Sequence, residues 1–228
     1  MKMMKNDFCA AIFDLDGTLV DSMWIWRDID IDYLGRHNIP FDEELQAKIE
    51  GLSFHETAVY FKENYGITES IEEIQKEWND MAIEFYRTKV FPKPGVIDYL
   101  KQLRSRGIKT GIATSNSWEL LSAVLESTGL DAYMDSIHTA CEIKKGKPAP
   151  DIYLLVAKDL AVDPADCMVF EDIVPGIQSG HSAGMRVCSV YDEYSEERMD
   201  EIIAMSDYHI TSFNELLEDK DHASCEGN

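Results

Sequence analysis

The pattern of hydrophobic and polar positions along the chain predicts a parallel β-sheet, because short apolar runs alternate with segments of helical periodicity. Short apolar runs, which are typical of buried strands, occur at 8–13, 108–113, 136–140, 167–170, 186–190 and 207–210. Segments with helical periodicity lie at 96–105, 118–128, 151–160, 175–183, 195–205 and 213–218. Strands and helices that alternate at this spacing predict an α/β fold, with a Rossmann-like parallel sheet core and helices on both faces.

Residues 22–92 interrupt this alternation. They contain no convincing strand, but two Ser-x-x-Glu capping boxes, at 53–56 and 70–73, are typical of helix starts, and Gly66 lies where a helix should end. The predicted domains are an inserted all-helical domain at 22–92 and an α/β core formed by 1–21 and 93–228.

An acidic triplet in the insertion has the spacing of a calcium-binding loop. Asp28, Asp30 and Asp32 alternate as such a loop requires, but Tyr33 stands where the loop needs glycine, and Ile39 where it needs the final glutamate. The triplet therefore predicts a solvated acidic helix face and no calcium site.

The charge of the chain limits its partners. The 228 residues include 21 Lys and Arg against 43 Asp and Glu, a net charge of −22. Such a surface repels nucleic acid and anionic membranes, so neither is expected as a partner. An acidic protein that handles an anionic substrate needs a local cation, which is a first indication of a metal.

The cysteines and the N-terminal run bear on location. The five cysteines are odd in number and scattered, which favours reduced thiols over disulfides; they are Cys9, Cys141, Cys167, Cys188 and Cys225. The first apolar run is too short for a signal peptide or a membrane span and ends in acids. We expect a cytoplasmic protein.

The first strand ends in the motif "FDLDGT". Ligands of an open α/β sheet bind beyond the carboxyl ends of its strands. Asp14 and Asp16 are two residues apart and point to the same side of an extended chain, and Gly17 allows a sharp turn after them. Paired buried acids repel each other unless a cation or a shared proton relieves them. The alternative is a pair of turn or helix-capping aspartates.

Two further strand ends carry groups suited to phosphate. "GIATSN" places the polar side chains of Thr114, Ser115 and Asn116 before a helix start, although Ser and Asn also cap helices. In "KKGKPAPD", the proline after Lys147 restricts that residue to extended geometry, so it is held on a stiff arm. Lys144 and Lys145 are expected to be solvated.

A fourth strand end, "MVFEDIVPGI", again closes in two acids. Glu171 and Asp172, together with Asp14, would form the oxygen-rich cage that Mg²⁺ prefers. Gly176 would let the following helix pack closely. Each motif has a structural alternative, but four of them in order at four strand ends predict a single site.

This order of motifs resembles the haloacid dehalogenase-like superfamily, in particular its phosphatase and β-phosphoglucomutase-like subgroup, which carries a helical cap after the first motif. The resemblance runs from Asp14 to about Gly184. It implies that the insertion at 22–92 is a cap that closes over the site and selects the substrate.

The resemblance also implies roles for the motif residues. Asp14 would be the nucleophile that forms an aspartyl-phosphate, and Asp16 the general acid and base, with its backbone carbonyl on the metal. Thr114 and Lys147 would hold the transferring phosphoryl group, with Ser115 and Asn116 binding substrate beside them. Asp14, Asp16, Glu171 and Asp172 would be the Mg²⁺ ligands, Glu171 directly or through water.

Two positions depart from the β-phosphoglucomutase pattern. Trp26 stands where that enzyme has a histidine that assists the sugar hydroxyl, and Phe54 stands where it has an arginine that grips the second phosphate. An aromatic residue at the second position favours hydrolysis over mutase chemistry. Trp26 is a candidate substrate wall, with packing inside the cap as the equal alternative. His55 is a candidate substrate contact, with a plain surface histidine as its alternative.

The sequence therefore predicts a Mg²⁺-dependent phosphatase acting on a small phosphorylated metabolite, as a monomer or weak dimer. Dehalogenation is excluded, because haloacid dehalogenases lack the acid two residues after the nucleophile. The alternatives are a sugar-phosphate mutase, phosphonate cleavage through a cap lysine, and a non-catalytic binding module. The last would predict a lost nucleophile or metal acid, and none is lost here.

Overall fold

A parallel six-stranded sheet forms the centre of the protein. The structure is a computed structural model that describes residues 7–42 and 44–217. Its strands are β1 (Ala10–Phe13), β2 (Lys109–Thr114), β3 (Ser136–Thr139), β4 (Cys167–Glu171), β5 (Arg186–Val190) and β6 (Tyr208–Ile210). All neighbouring strands pair in parallel, in the order β3-β2-β1-β4-β5-β6. The predicted Rossmann-like core is confirmed.

Helices cover both faces of this sheet. The α-helices of the described residues are α1 (Met23–Arg36), α2 (Leu45–Ile49), α3 (Phe54–Tyr65), α4 (Ile71–Thr88), α5 (Val96–Ser105), α6 (Trp118–Thr128), α7 (Asp151–Asp159), α8 (Val174–Ser182) and α9 (Met199–Met205). In β1, Ala11 and Phe13 join the buried cluster of α5 and α6, whereas Ala10 and Ile12 join that of α7, α8 and α9. This alternation explains why the strand is apolar throughout.

Between β1 and α5 the chain is helical, as predicted. Both capping boxes form: Ser53 accepts from the Glu56 backbone N–H and Ser70 from that of Glu73, and each glutamate bonds back to its serine. The ends of this helical insertion, residues 22–92, lie side by side, because Val20 pairs with Pro92 in an isolated bridge. Its division from the core as a separate cap domain stays a prediction.

The C-terminal helices differ from the sequence prediction. The segment predicted as one helix at 195–205 is a 3₁₀-helix at Glu193–Arg198 followed by α9. The helix predicted at 213–218 is a single 3₁₀ turn at Phe213–Leu216, and its last residue lies outside the described range. In both turns the N-cap side chain accepts from the backbone N–H two residues ahead, which tightens the start of the turn.

The acidic triplet of α1 is solvated only in part. Asp28 and Asp32 are exposed, as predicted, but Asp30 is 4% exposed. The prediction was wrong for Asp30 because this residue lies on the same helix face as Ile29, Tyr33 and Leu34, which are also buried.

Two other expectations have partial answers. The four cysteines within the described residues are all free, and Cys225 lies outside them. Among the helices described, none combines the length and the apolar character needed to cross a bilayer.

Candidate active site

The site lies where the chain reverses its direction across the sheet. From β1 the strands progress through β2 to β3, and β4 then returns to the other side of β1. Such a switch point leaves a crevice at the carboxyl ends of the strands. The backbone N–H of Asp14 donates to the Phe170 carbonyl at 3.0 Å, so the ends of β1 and β4 are held together at this crevice.

Three buried acids meet there. Asp14, Glu171 and Asp172 each present a carboxylate oxygen within 4.8 Å of the others. Lys147 is 3% exposed, and its Nζ lies 2.5 Å from Asp14 Oδ1 and also bonds Glu171 Oε1. Burial lowers the pKa of Lys147, but Asp14 and Glu171 outweigh burial and raise it, so the ammonium stays charged.

This donor set fits a divalent cation. Burial raises the pKa of Asp14 to about 8, with Glu171 and Asp16 adding to the rise and Lys147 opposing it. Burial, then Glu171 and Asp14, also raise the pKa of Asp172 well above its ordinary value. The negative charge of the three acids is thus not fully balanced by nearby protein cations. Carboxylate oxygens are the ligands that Mg²⁺ prefers.

Glu171 has most of its hydrogen-bonding capacity in use. Its Oε1 accepts from Lys147 and, at 2.8 Å, from the hydroxyl of Tyr153. Its Oε2 accepts from the backbone N–H groups of Asp172 and Ile173 at 2.9 and 3.3 Å. A Cβ at Gly176 would lie 1.9 Å from Glu171 Oε1. The glycine therefore allows the close approach, and Glu171 is placed to orient Lys147.

The turn after Asp16 is built around Asp172. Gly17 has a φ of 80°, and a Cβ on it would lie 2.2 Å from Asp172 Oδ2. The Thr18 hydroxyl donates to Asp172 Oδ1 at 2.8 Å. Lys93 donates to the Gly17 carbonyl and bonds Asp192 Oδ2 at 2.8 Å. The turn after Asp16 and the Asp172 carboxylate are thus fixed to one another.

The side chain of Asp16 faces the helical insertion. Its Oδ1 accepts from the Ser22 hydroxyl at 2.6 Å and from Tyr86, and its Oδ2 accepts from Asn116 Nδ2 at 2.9 Å. Tyr86 Oη in turn accepts from Trp26 Nε1 at 3.0 Å. The Asp16 carboxylate is not part of the three-acid cluster found among the described residues.

The end of β2 lies beside these acids. Thr114, Ser115 and Asn116 all line the same cavity as Asp14 and Asp16. Thr114 Oγ1 accepts from the Asn116 backbone N–H at 3.1 Å. The Ser115 carbonyl accepts from the Phe54 N–H at 3.0 Å, so this strand end contacts the insertion directly.

A cavity of about 330 Å³ connects the acids to the insertion. Asp14, Asp16, Lys147 and Asp172 line it on the core side, and Trp26 and Phe54 line it on the insertion side. Trp26 therefore lies where a substrate wall would be, and its ring also packs against Phe54 and Tyr86. His55 is exposed and is not among the lining residues, and a substrate role for it gains no support.

Sequence reasoning missed three residues of the site. Tyr86, Lys93 and Tyr153 bond Asp16, the Gly17 carbonyl and Glu171 respectively. Lys93 stands in the "PKPG" turn that returns the chain to the core, which is the signal that could have indicated it. Tyr86 and Tyr153 occur within ordinary helices and carry no local signal.

Several known proteins resemble this chain in sequence. The sequence model of the haloacid dehalogenase-like hydrolase family matches residues 11–190. Hexitol phosphatase A of Escherichia coli is 34% identical over 84% of this chain and 87% of its own length. The β-phosphoglucomutase of Bacillus subtilis is 31% identical over 77% and 80% of the two chains.

Two further comparisons bear on length and fold. The bifunctional riboflavin kinase/FMN phosphatase of Arabidopsis thaliana is 32% identical, and the match spans 49% of its length and 82% of this chain. The crystal structure of CbbY from Rhodobacter sphaeroides in complex with phosphate superimposes with a TM-score of 0.81, at 22% identity, over 92% of this chain and 96% of that one.

The family match covers all four strand-end motifs, and the neighbouring structure has the same fold. The prediction of an enzyme of this superfamily is confirmed. The chain belongs to the haloacid dehalogenase-like hydrolase family.

Proposed function

We propose that this protein is a Mg²⁺-dependent phosphatase that hydrolyses a small phosphorylated sugar or polyol through an aspartyl-phosphate on Asp14. The observation that carries the proposal is the contact of Lys147 Nζ with Asp14 Oδ1, 2.5 Å, on the floor of a cavity that also exposes Asp16 and Asp172. A nucleophilic carboxylate, a cation for phosphoryl oxygens and a second acid thus converge on one space.

The reaction has two steps. In the first, an Asp14 carboxylate oxygen attacks phosphorus, the ester P–O bond breaks, and Asp16 gives its proton to the leaving alcohol. In the second, Asp16 takes a proton from water as the water oxygen attacks the same phosphorus. The bond between phosphorus and the Asp14 oxygen breaks, which releases phosphate and restores the Asp14 carboxylate. Lys147 and the polar groups of Thr114 and Ser115 hold the phosphoryl oxygens in both steps.

Asp14, Asp172 and the backbone carbonyl of Asp16 would hold the Mg²⁺, with Glu171 orienting Lys147 or contacting the ion through water. Bound Mg²⁺ would offset the charge of the phosphoryl group and of Asp14. Glu171 is a poor candidate for a direct ligand, because both of its oxygens already accept hydrogen bonds from protein groups.

Relatives named as phosphatases support hydrolysis, while one relative is named as a mutase. Phe54 favours hydrolysis, because its buried ring lines the cavity on the insertion side and offers no charge to a second phosphate. A monomeric or weakly dimeric state, a cytoplasmic location and the absence of a nucleic-acid partner stay predictions.

Phosphate release from a panel of sugar phosphates, polyol phosphates and nucleotides, with Mg²⁺ or with EDTA, tests the proposal. We expect release that requires Mg²⁺ and that Asp14→Asn abolishes while the circular dichroism spectrum stays unchanged. Release by Asp14→Asn at the wild-type rate would reject Asp14 as nucleophile. Interconversion of hexose phosphates without release would favour the mutase.

A further inference from the structure

The insertion side of the cavity holds a buried acid that the proposed reaction does not use. Asp30 is 4% exposed, lines the cavity and lies one helical turn after Trp26 on α1. Residues four apart on a helix share a face, so the face of α1 that presents Trp26 to the cavity also presents Asp30.

Asp30 is paired with a neutral amide. Gln46 Nε2 on α2 donates to Asp30 Oδ2 at 2.6 Å, and Gln46 also lines the cavity. Within residues 7–42 and 44–217, Asp30 forms no ion pair with a Lys, Arg or His side chain. A buried carboxylate without a cationic partner is costly to keep in the fold, which points to a ligand.

The surroundings of Asp30 narrow the ligand chemistry. Trp26, Phe54 and Trp78 supply apolar walls, and Asp30 and Gln46 supply polar groups among them. A carboxylate repels an anion, and a purely apolar group would leave the Asp30 oxygens without a hydrogen bond. A hydroxyl both donates and accepts, so it can satisfy the carboxylate and the amide together.

We propose that Asp30 and Gln46 bind a hydroxyl group of the non-phosphorylated part of the substrate and so select polyol and sugar phosphates. The inference rests on the proposed function for the position of the phosphate, which the Lys147 side of the cavity would hold. Asp30 is then a specificity-determining residue that acts from the insertion side of the cavity.

Binding measured without turnover tests this assignment. The probes are sorbitol 6-phosphate and hexyl phosphate, which share a six-carbon chain and a phosphate but differ in hydroxyl groups. Their dissociation constants are measured by titration calorimetry with Mg²⁺ in the Asp14→Asn background. The quantity of interest is the dissociation constant of hexyl phosphate divided by that of sorbitol 6-phosphate, with and without Asp30→Leu.

We expect Asp30→Leu to lower this ratio by about tenfold or more, the loss typical of a buried polar group left without its hydrogen-bond partner, and Gln46→Leu to lower it in the same direction. Asp30→Asn should keep most of the ratio, because an amide still bonds a hydroxyl. Asp28→Leu is the matched control, since Asp28 is exposed on the same helix, and it should leave the ratio unchanged.

A ratio that Asp30→Leu leaves unchanged, in protein with a native circular dichroism spectrum, overturns the inference. If Asp30→Leu does not fold, the Asp30→Asn and Gln46→Leu variants decide. A further pair of results also overturns the inference. Asp30→Asn would lower the ratio as much as is expected of Asp30→Leu, and the Asp14→Asn protein would bind phosphocholine more tightly than sorbitol 6-phosphate. The Asp30 carboxylate would then bind a cationic group.

Phosphate release from the same two probes, measured with the protein that retains Asp14, separates this inference from the proposed function. Release with no effect of Asp30→Leu on the binding ratio would reject the inference alone. The expected binding ratios with no release would reject the phosphatase and support the hydroxyl site.

Discussion

The Tyr86 hydroxyl donates to Asp16 Oδ1, which links the last helix of the insertion to the second acid of the first motif. Tyr86 is completely buried, and its Oη also accepts from Trp26 Nε1 and from Asn116 Nδ2, at 3.0 and 2.9 Å. One phenol thus connects α1, α4, the end of β2 and Asp16. This connection makes the position of the Asp16 side chain depend on the insertion.

Replacing Tyr86 by phenylalanine tests this dependence. The ring still fills its buried space, but Asp16 loses one of its three side-chain donors, and hydrogen bonds to charged groups contribute about 1.5–3 kcal/mol. We expect kcat to fall about tenfold or more, with a smaller change in KM, because the role proposed for Asp16 is to act on the leaving group rather than to bind substrate.

The control is Tyr60→Phe, because Tyr60 lies on α3 and is not among the cavity residues. It should leave kcat and KM as they are. An unaltered kcat in Tyr86→Phe would show that Ser22 and Asn116 suffice to place Asp16.

The metal assignment predicts a specific response to Asp172→Asn. The Mg²⁺ concentration for half-maximal activity should rise by more than roughly tenfold, since even the outer partners of metal ligands have effects of that size. Mg²⁺ should also raise the melting temperature of the wild-type protein, because a ligand of the folded state stabilises it. That rise should be much smaller in Asp172→Asn.

Asp21→Asn is the control for this experiment, because Asp21 is also an aspartate close to a strand-end motif, the first one, but its side chain is exposed. Its Mg²⁺ titration should coincide with that of the wild type. A normal titration in Asp172→Asn would place the ion on other ligands.

Gly176→Ala should disturb the site through Glu171. The added methyl group would lie 1.9 Å from Glu171 Oε1, the oxygen that accepts from Lys147 and Tyr153. We expect a loss of about 1–3 kcal/mol in the free energy of unfolding, as for other forced contacts in a packed interior, together with lower activity. Urea unfolding and phosphate release measure the two effects.

Gly35→Ala is the matched control. Gly35 is also helical, but a Cβ there would meet nothing within 4 Å, so alanine should be neutral or stabilise by up to about 1 kcal/mol. If both variants were equally stable and active, Glu171 would be free to move without affecting Lys147.

Much of the fold follows from short-range patterns. The apolar runs predict the strands, most clearly for β1 and β4, which are buried throughout. The capping boxes at Ser53 and Ser70 predict helix starts that the structure contains. The acids at the ends of β1 and β4 converge because parallel strands bring their carboxyl ends to one edge. These relationships depend on backbone geometry, which the local sequence carries.

The remaining features of the site depend on how the helices of the insertion pack against the core and the cavity. Tyr86 lies 70 positions from Asp16, and no periodicity indicates their contact. The spacing of Asp28, Asp30 and Asp32 predicts one solvated acidic face, and it does not show that Asp30 is buried. Its distance of four residues from Trp26 was the available signal, since a pocket role for Trp26 places Asp30 on the same face.

The burial of Asp30 predicts a pH dependence of stability. Burial raises the pKa of Asp30 to about 7, although the Gln46 hydrogen bond opposes the rise. Between pH 4 and 7 the folded state therefore holds a proton that the unfolded state releases, so this group's contribution to stability falls as the pH rises through that window and is constant above it.

Asp30→Asn removes this dependence. Relative to the wild type, the variant should gain at most about 4 kcal/mol in the free energy of unfolding between pH 4 and pH 8. Urea unfolding of both proteins at several pH values in EDTA measures the difference in the free energy of unfolding. The other acids contribute equally to both proteins, so their contributions cancel in this difference. Asp28→Asn should show a constant difference from the wild type, and a constant difference for Asp30→Asn would mean that Asp30 is solvated and ionised in the folded protein.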